Sequence, residues 1–119
     1  MSWDISLVKL RNPFWSESKD LPDLDAIGEP DNAHQKISEF LAGIEWVEEP
    51  GLDKKLRTVG IFETDEGSFE FYGFEARPLM QIHIEGRGSI DPEVQLSSLC
   101  KNLGWALIGL SDDGFYRIL

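Results

Sequence analysis

His83, Glu85 and Arg87 stand at alternate positions, so on an extended chain all three side chains leave one face. An imidazole with a neighbouring carboxylate is a possible acid–base pair, because each can carry a proton near neutral pH in the right surroundings. The same alternation describes any exposed sheet face, and no Ser or Cys nucleophile is fixed beside it by a motif. No catalytic residue is therefore assigned. His83, Glu85 and Arg87 stay as the candidate ligand site of an alternative reading, a small-ligand binding protein or minor enzyme.

The following Gly86-Arg87-Gly88-Ser89 precedes a helix and could cradle an anion with backbone amides, with Arg87 adding charge. It fits neither a P-loop nor a dinucleotide fingerprint, since the GK[ST] ending and the third glycine are missing. Glu85, Asp91 and Glu93 crowd the same place with negative charge, so a tight strand-to-helix turn is the expectation. Metal binding has less support. Two His and one Cys lie far apart with no HxxxH or CxxC spacing, and Asp112-Asp113 is too short for a calcium loop. No cofactor and no metal are expected.

The elements that must position these residues centre on residues 79–110. Met80, Ile82 and Ile84 alternate with Gln81, His83 and Glu85, the period of a half-buried strand. Asp91-Pro92 is a helix start, with an acceptor for orphan amides and a residue suited to the first helical position. Leu96, Leu99, Cys100 and Leu103 recur at i, i+3, i+4, i+7, and Lys101 and Gly104 mark the end. Residues 105–110 then read as a short buried strand.

Earlier in the chain, Trp3, Ile5 and Leu7 alternate with polar residues and Val8 and Leu10 extend the run, giving strand one. Asp31 or Asn32 is expected to cap a helix whose stripe is Ile37, Phe40, Leu41 and Ile44, with His34 on its solvent side. Residues 48–55 read as a loop. Residues 57–63 and 68–74 flank Thr64-Asp65-Glu66-Gly67 and read as a hairpin, with Phe69 and Phe71 on one face. Ser111-Asp112-Asp113-Gly114 turns the chain into a closing strand.

Twenty-two acidic residues against eleven basic give a net charge of −11 over 119 residues. Phosphate backbones are repelled by such a surface, so nucleic acid is not an expected ligand, whereas a basic protein partner is attracted and steered. Residues 11–30 form a long acidic loop with no sustained period. Glu17, Asp20, Asp23, Asp25, Glu29 and Asp31 cluster at and just beyond it. Connections of this kind are uncommon in a compact domain and often functional. Trp15 either packs on the body or serves as an exposed anchor; with Asp20, Asp23 and Asp25 it makes the candidate partner-binding set. No apolar run approaches the roughly 20 residues needed to span a bilayer. No export signal is visible at the N-terminus, and lone Cys100 reads as a small buried hydrophobe, so a cytoplasmic protein of one domain, residues 1–119, is expected.

The order β-α-β-β-β-α-β-β predicts an α+β fold: an antiparallel sheet with two helices packed on one face, a split β-α-β, ferredoxin-like arrangement with extra hairpin strands. The chain resembles a group of small, functionally uncharacterised bacterial α+β proteins. The resemblance lies in Met1-Ser2-Trp3-Asp4-Ile5, Gly67-Ser68-Phe69-Glu70-Phe71, His83-Ile84-Glu85-Gly86-Arg87-Gly88, Leu103-Gly104-Trp105-Ala106-Leu107 and Asp113-Gly114-Phe115. It implies that fold and a bacterial cytoplasmic setting, but no activity, cofactor or catalytic set. Those proteins often carry Arg where this chain has Glu85, which argues further against an anion site. The expectation for function is a non-catalytic protein-binding module, immunity- or inhibitor-like, for a basic partner.

Overall fold

Alternate apolar positions build the centre of one antiparallel sheet. The computed structural model describes residues 2–119. Among them, β1 (Ser2–Leu10) lies at the middle, flanked by β7 (Gln81–Gly88) and β8 (Ala106–Leu110). Beyond β7 run β6 (Gly67–Tyr72), β5 (Leu56–Thr64) and, at the edge, β4 (Glu45–Pro50). Beyond β8 lie β9 (Tyr116–Ile118) and the two-residue β2 (Glu17–Ser18); β3 (Leu24–Asp25) pairs with the end of β1. Helix α1 (Pro30–Phe40) precedes β4, and α2 (Pro92–Leu103) carries the chain from β7 to β8.

The ferredoxin-like expectation is thereby corrected. Among the described residues the fold is dominated by a nine-stranded sheet and is not the expected α+β arrangement built around two helices, which are short, 11 and 12 residues. Three local misreadings produced the error. Residues 45–50, expected to leave a helix and enter a loop, form edge strand β4 against β5, with Trp46 opposite Gly60 and Val47 opposite Val59. The supposed glycine turn at 86–89 is strand through Gly88, with Gly86 opposite both Trp3 and Phe69. The loop at 11–30 contributes β2 and β3.

Two glycines make room for the sheet where a turn and a loop were expected. Gly86 leaves room for the indole of Trp3, which a Cβ there would overlap; Trp3 then meets Phe69 edge to face at 5.6 Å. Gly60 does the same for Trp46, whose ring would stand 2.6 Å from an added Cβ. A flat aromatic over a glycine restores the apolar contact that the missing side chain forgoes.

One sheet face carries the main core. Ile5, Leu7, Phe69, Phe71, Ile82 and Ile84 pack there with Ile37 of α1 and Leu96 and Leu99 of α2. Asp91 caps α2 as expected, its Oδ1 accepting from the Glu93 amide at 2.9 Å, and Gly104 ends it in the left-handed region. Helix α1 departs from expectation at both ends. Glu29, not Asp31 or Asn32, is its N-cap, and Leu41 leaves helical geometry, so Ile44 falls outside the helix. On the opposite sheet face a second cluster joins Val8, Leu24 and Ile108, with Trp15 and Met80 against it. Trp15 and Leu24 thus hold part of the 11–30 segment over that face, while Ile27 joins the main core. No helix among the described residues is long and apolar enough to cross a membrane.

Candidate functional site: an acid-bordered groove on the sheet

Strand register decides which side chains meet on the face away from the helices. Asp4 pairs with Glu85 and Ser6 with His83 across β1 and β7. Glu70 pairs with Glu85 and Tyr72 with His83 across β6 and β7. Side by side, then, run a row Asp4–Glu85–Glu70 and a row Ser6–His83–Tyr72. Directly opposite residues have Cβ atoms about 4.5–5.5 Å apart, and like charges so placed are destabilising. None of the three carboxylates is in an ion pair among the described residues. Those pairs are Arg11–Asp25, Arg57–Glu49, and Arg117 with Glu17 and Asp113.

The tyrosine beside the row registers this negative field. The Tyr72 hydroxyl donates to Glu70. Burial first, then that hydrogen bond and the charges of Glu70, Glu85 and Glu49, push its pKa well above the ordinary value. The Arg57 guanidinium lies 5.1 Å over the same ring while donating to Glu49 at 2.9 Å.

Next to the row is a shallow groove of about 280 Å³. Asp4, Ser6 and His83 line it from the sheet, Leu110 and Tyr116 from β8 and β9, and Leu21 from the acidic loop. The loop is tied down on either side of Leu21. Arg11 bonds Asp25 at 3.0 Å, the Trp15 indole donates to Ser18 Oγ at 3.1 Å, and Arg117 bonds Glu17 at 2.7 Å.

The groove draws on neither candidate residue set as a whole, and the structure sorts each. Of the partner-binding set, Trp15 is partly buried against the Val8 cluster and Asp25 is held by Arg11. Asp20 and Asp23 are exposed beside Leu21 and make no ion pair among the described residues. Of the ligand set, only His83 lines the groove. Glu85 belongs to the carboxylate row, and Arg87 stands farther along the strand opposite Ser68, exposed and outside ion-pair distance of Glu85. Ser6, opposite His83, was not singled out from the sequence, because only the pairing of β1 with β7 puts it there. No hydrogen bond joins His83 to Ser6, Tyr72 or Glu85 among the described residues.

Other sequence candidates resolve more simply. The amide cradle expected as an alternative at residues 86–89 does not form, because Gly86 and Gly88 are in the β-ladder and Ser89 N–H donates to Glu66 O. Cys100 is half-buried against the core, and burial pushes its thiol up to about 11. Among the described residues no group of His, Cys, Asp or Glu is arranged to hold a metal ion.

His34 is a correction. Expected on the solvent side of α1, it sits between Trp46 and Phe74, ring centroids 4.4 Å from each. Its Nε2 is buried with no hydrogen-bond partner among the described residues. Burial lowers the imidazole pKa from 6.5, opposed by the charge of Asp31. The only sequence signal would have been the aromatic at 46, whose approach depends on β4 being a strand.

No protein family, no curated protein and no solved structure matches the chain. The functional reading rests on the geometry.

Proposed function

We propose that the protein is a non-catalytic binding module, immunity- or inhibitor-like, that engages a basic protein partner through its acidic sheet face. The observation that carries this reading is the Asp4–Glu85–Glu70 row, which makes no ion pair among the described residues. Three carboxylates held in register cost the free protein stability, and a cationic surface laid on them removes that cost. Exposed Asp20 and Asp23, on the loop that carries Leu21, add to the same field. The net charge of −11 steers such a partner from a distance. The free thiol of Cys100 suits a reducing compartment, consistent with meeting that partner in the cytoplasm.

A second reading, a small-ligand site or minor enzyme around His83, Glu85 and Arg87, draws on the concavity at His83. The groove's 280 Å³ falls just below the roughly 300–1,000 Å³ typical of ligand sites, and Glu85 and Arg87 do not line it. Binding to a protein surface fits better.

The test uses Asp4→Asn/Glu70→Gln/Glu85→Gln in the whole chain. A partner is first recovered from the native host by cross-linking and identified. Neutralising the row should raise stability in urea by a few tenths to about 1 kcal/mol and slow partner association. A stability that stays level or falls, or an association rate indifferent to the triple change, would sink the proposal.

A further inference from the structure

We propose that the groove beside Asp4 receives the apolar side chain of an amphipathic segment of the basic partner, with lysines or arginines on both sides of that anchor. The inference rests on the functional reading above and adds the kind of segment the face accepts. Charge alone would speed encounter and do little for residence, because exposed ion pairs are weak and screened. Lasting affinity needs a central side chain from which water is excluded, with polar groups around it.

The groove offers that centre. Leu21 and Leu110 are 42% and 63% exposed and face one hollow with Tyr116. Ile108 closes the floor as part of the small core cluster, so an apolar group entering there meets hydrocarbon on several sides. The space is small for a cofactor and sufficient for one side chain. Acids border it on two flanks. Asp20 adjoins Leu21 on the loop side; Asp4 lines the groove from β1, with Glu85 and Glu70 on the next two strands. A segment with cations on one side only would leave one of these flanks unanswered. Cations on both sides of an apolar residue answer both.

Two synthetic peptides, blocked at both ends, test this: KKLKK and KKGKK, titrated into the full chain and followed by amide chemical shifts. KKLKK should bind on the order of tenfold more tightly, the factor expected from burying an aliphatic side chain in a half-open site. Its shifts should centre on Leu21, Ile108, Leu110 and Tyr116. In Leu21→Ser/Leu110→Ser, with folding confirmed by its melt, the two peptides should bind alike. The Asp4→Asn/Glu70→Gln/Glu85→Gln variant should weaken both peptides by a similar factor. Equal binding of the two peptides to the wild type overturns the anchor while leaving the charge reading in place. Binding of neither, or shifts that avoid the groove, overturns the anchor as well. Indifference of both peptides to the carboxylate variant counts against the charge reading instead.

Discussion

His34 shows how a single side chain can couple the fold to pH. Its imidazole is packed between Trp46 and Phe74 with Nε2 buried and unpartnered, so the folded state favours the neutral ring. With the folded pKa lowered from 6.5, the unfolded chain takes up the proton first as pH falls. The stability linked to His34 is therefore complete above about pH 6.5 and is lost as pH drops through the folded value. Urea midpoints of wild type and His34→Phe, compared between about pH 7.5 and 5, should diverge toward acid, with wild type falling more. Parallel curves would show that the ring is not desolvated as described. Gly86 is the matching case for backbone space. Because an added Cβ would overlap the Trp3 indole, Gly86→Ala should cost about 1–3 kcal/mol. Much of that loss should disappear when Trp3→Ala is the background. A loss that persists there would locate the strain elsewhere.

At the scale of elements, α2 and its stripe carry the clearest energetic expectation. Leu99 is fully buried among sheet residues, whereas Leu103 is only partly buried at the helix end. Leu99→Ala should cost on the order of 2–5 kcal/mol in urea melts, and Leu103→Ala less than half as much. Equal losses would mean that the helix is rotated from its described packing. β1 and β7 govern the functional face in the same way, because a one-residue slip would turn Asp4 and Glu85 into the core and Ile5 and Ile84 out to solvent. The buried isoleucines hold the register, and the register holds the carboxylates together.

For the whole molecule, function is expected to follow charge. Association with the basic partner should slow markedly between roughly 50 and 500 mM salt while dissociation changes less, since screening acts over about 8–10 Å at ordinary ionic strength. Asp20→Asn/Asp23→Asn should lower the on-rate without shifting the melt, because both side chains are exposed and unpaired among the described residues. Stopped-flow mixing with the identified partner measures both. An on-rate flat across salt would leave the acidity with no role beyond solubility. His83→Ala, by contrast, should leave any activity the protein shows within a few-fold of wild type; a loss of about a hundredfold, the scale of a lost general base, would favour chemistry at His83 instead.

The elements that the sequence determined are those whose signals lie within a few residues. Asp91-Pro92, the Leu96–Leu99 spacing and Gly104 specify α2 from start to stop, and the Thr64–Gly67 turn joins β5 to β6. Alternation at residues 3–8 makes β1 for the same local reason. Composition likewise fixed the negative charge. Tertiary structure decided what depends on distant partners. Gly86 and Gly88 read as a turn until Trp3, Phe69 and Gly67 stand opposite them and make them strand. Residues 45–50 carry too short an alternation to declare a strand, and β5 supplies the ladder that makes them one. That strand in turn sets Trp46 against the partly buried His34 ring. The groove is the extreme case, since its walls come from β1, β7, β8, β9 and the loop at 11–30. No local pattern encodes that meeting, because backbone pairing and burial of the opposite face bring those segments together, and the exposed side chains follow.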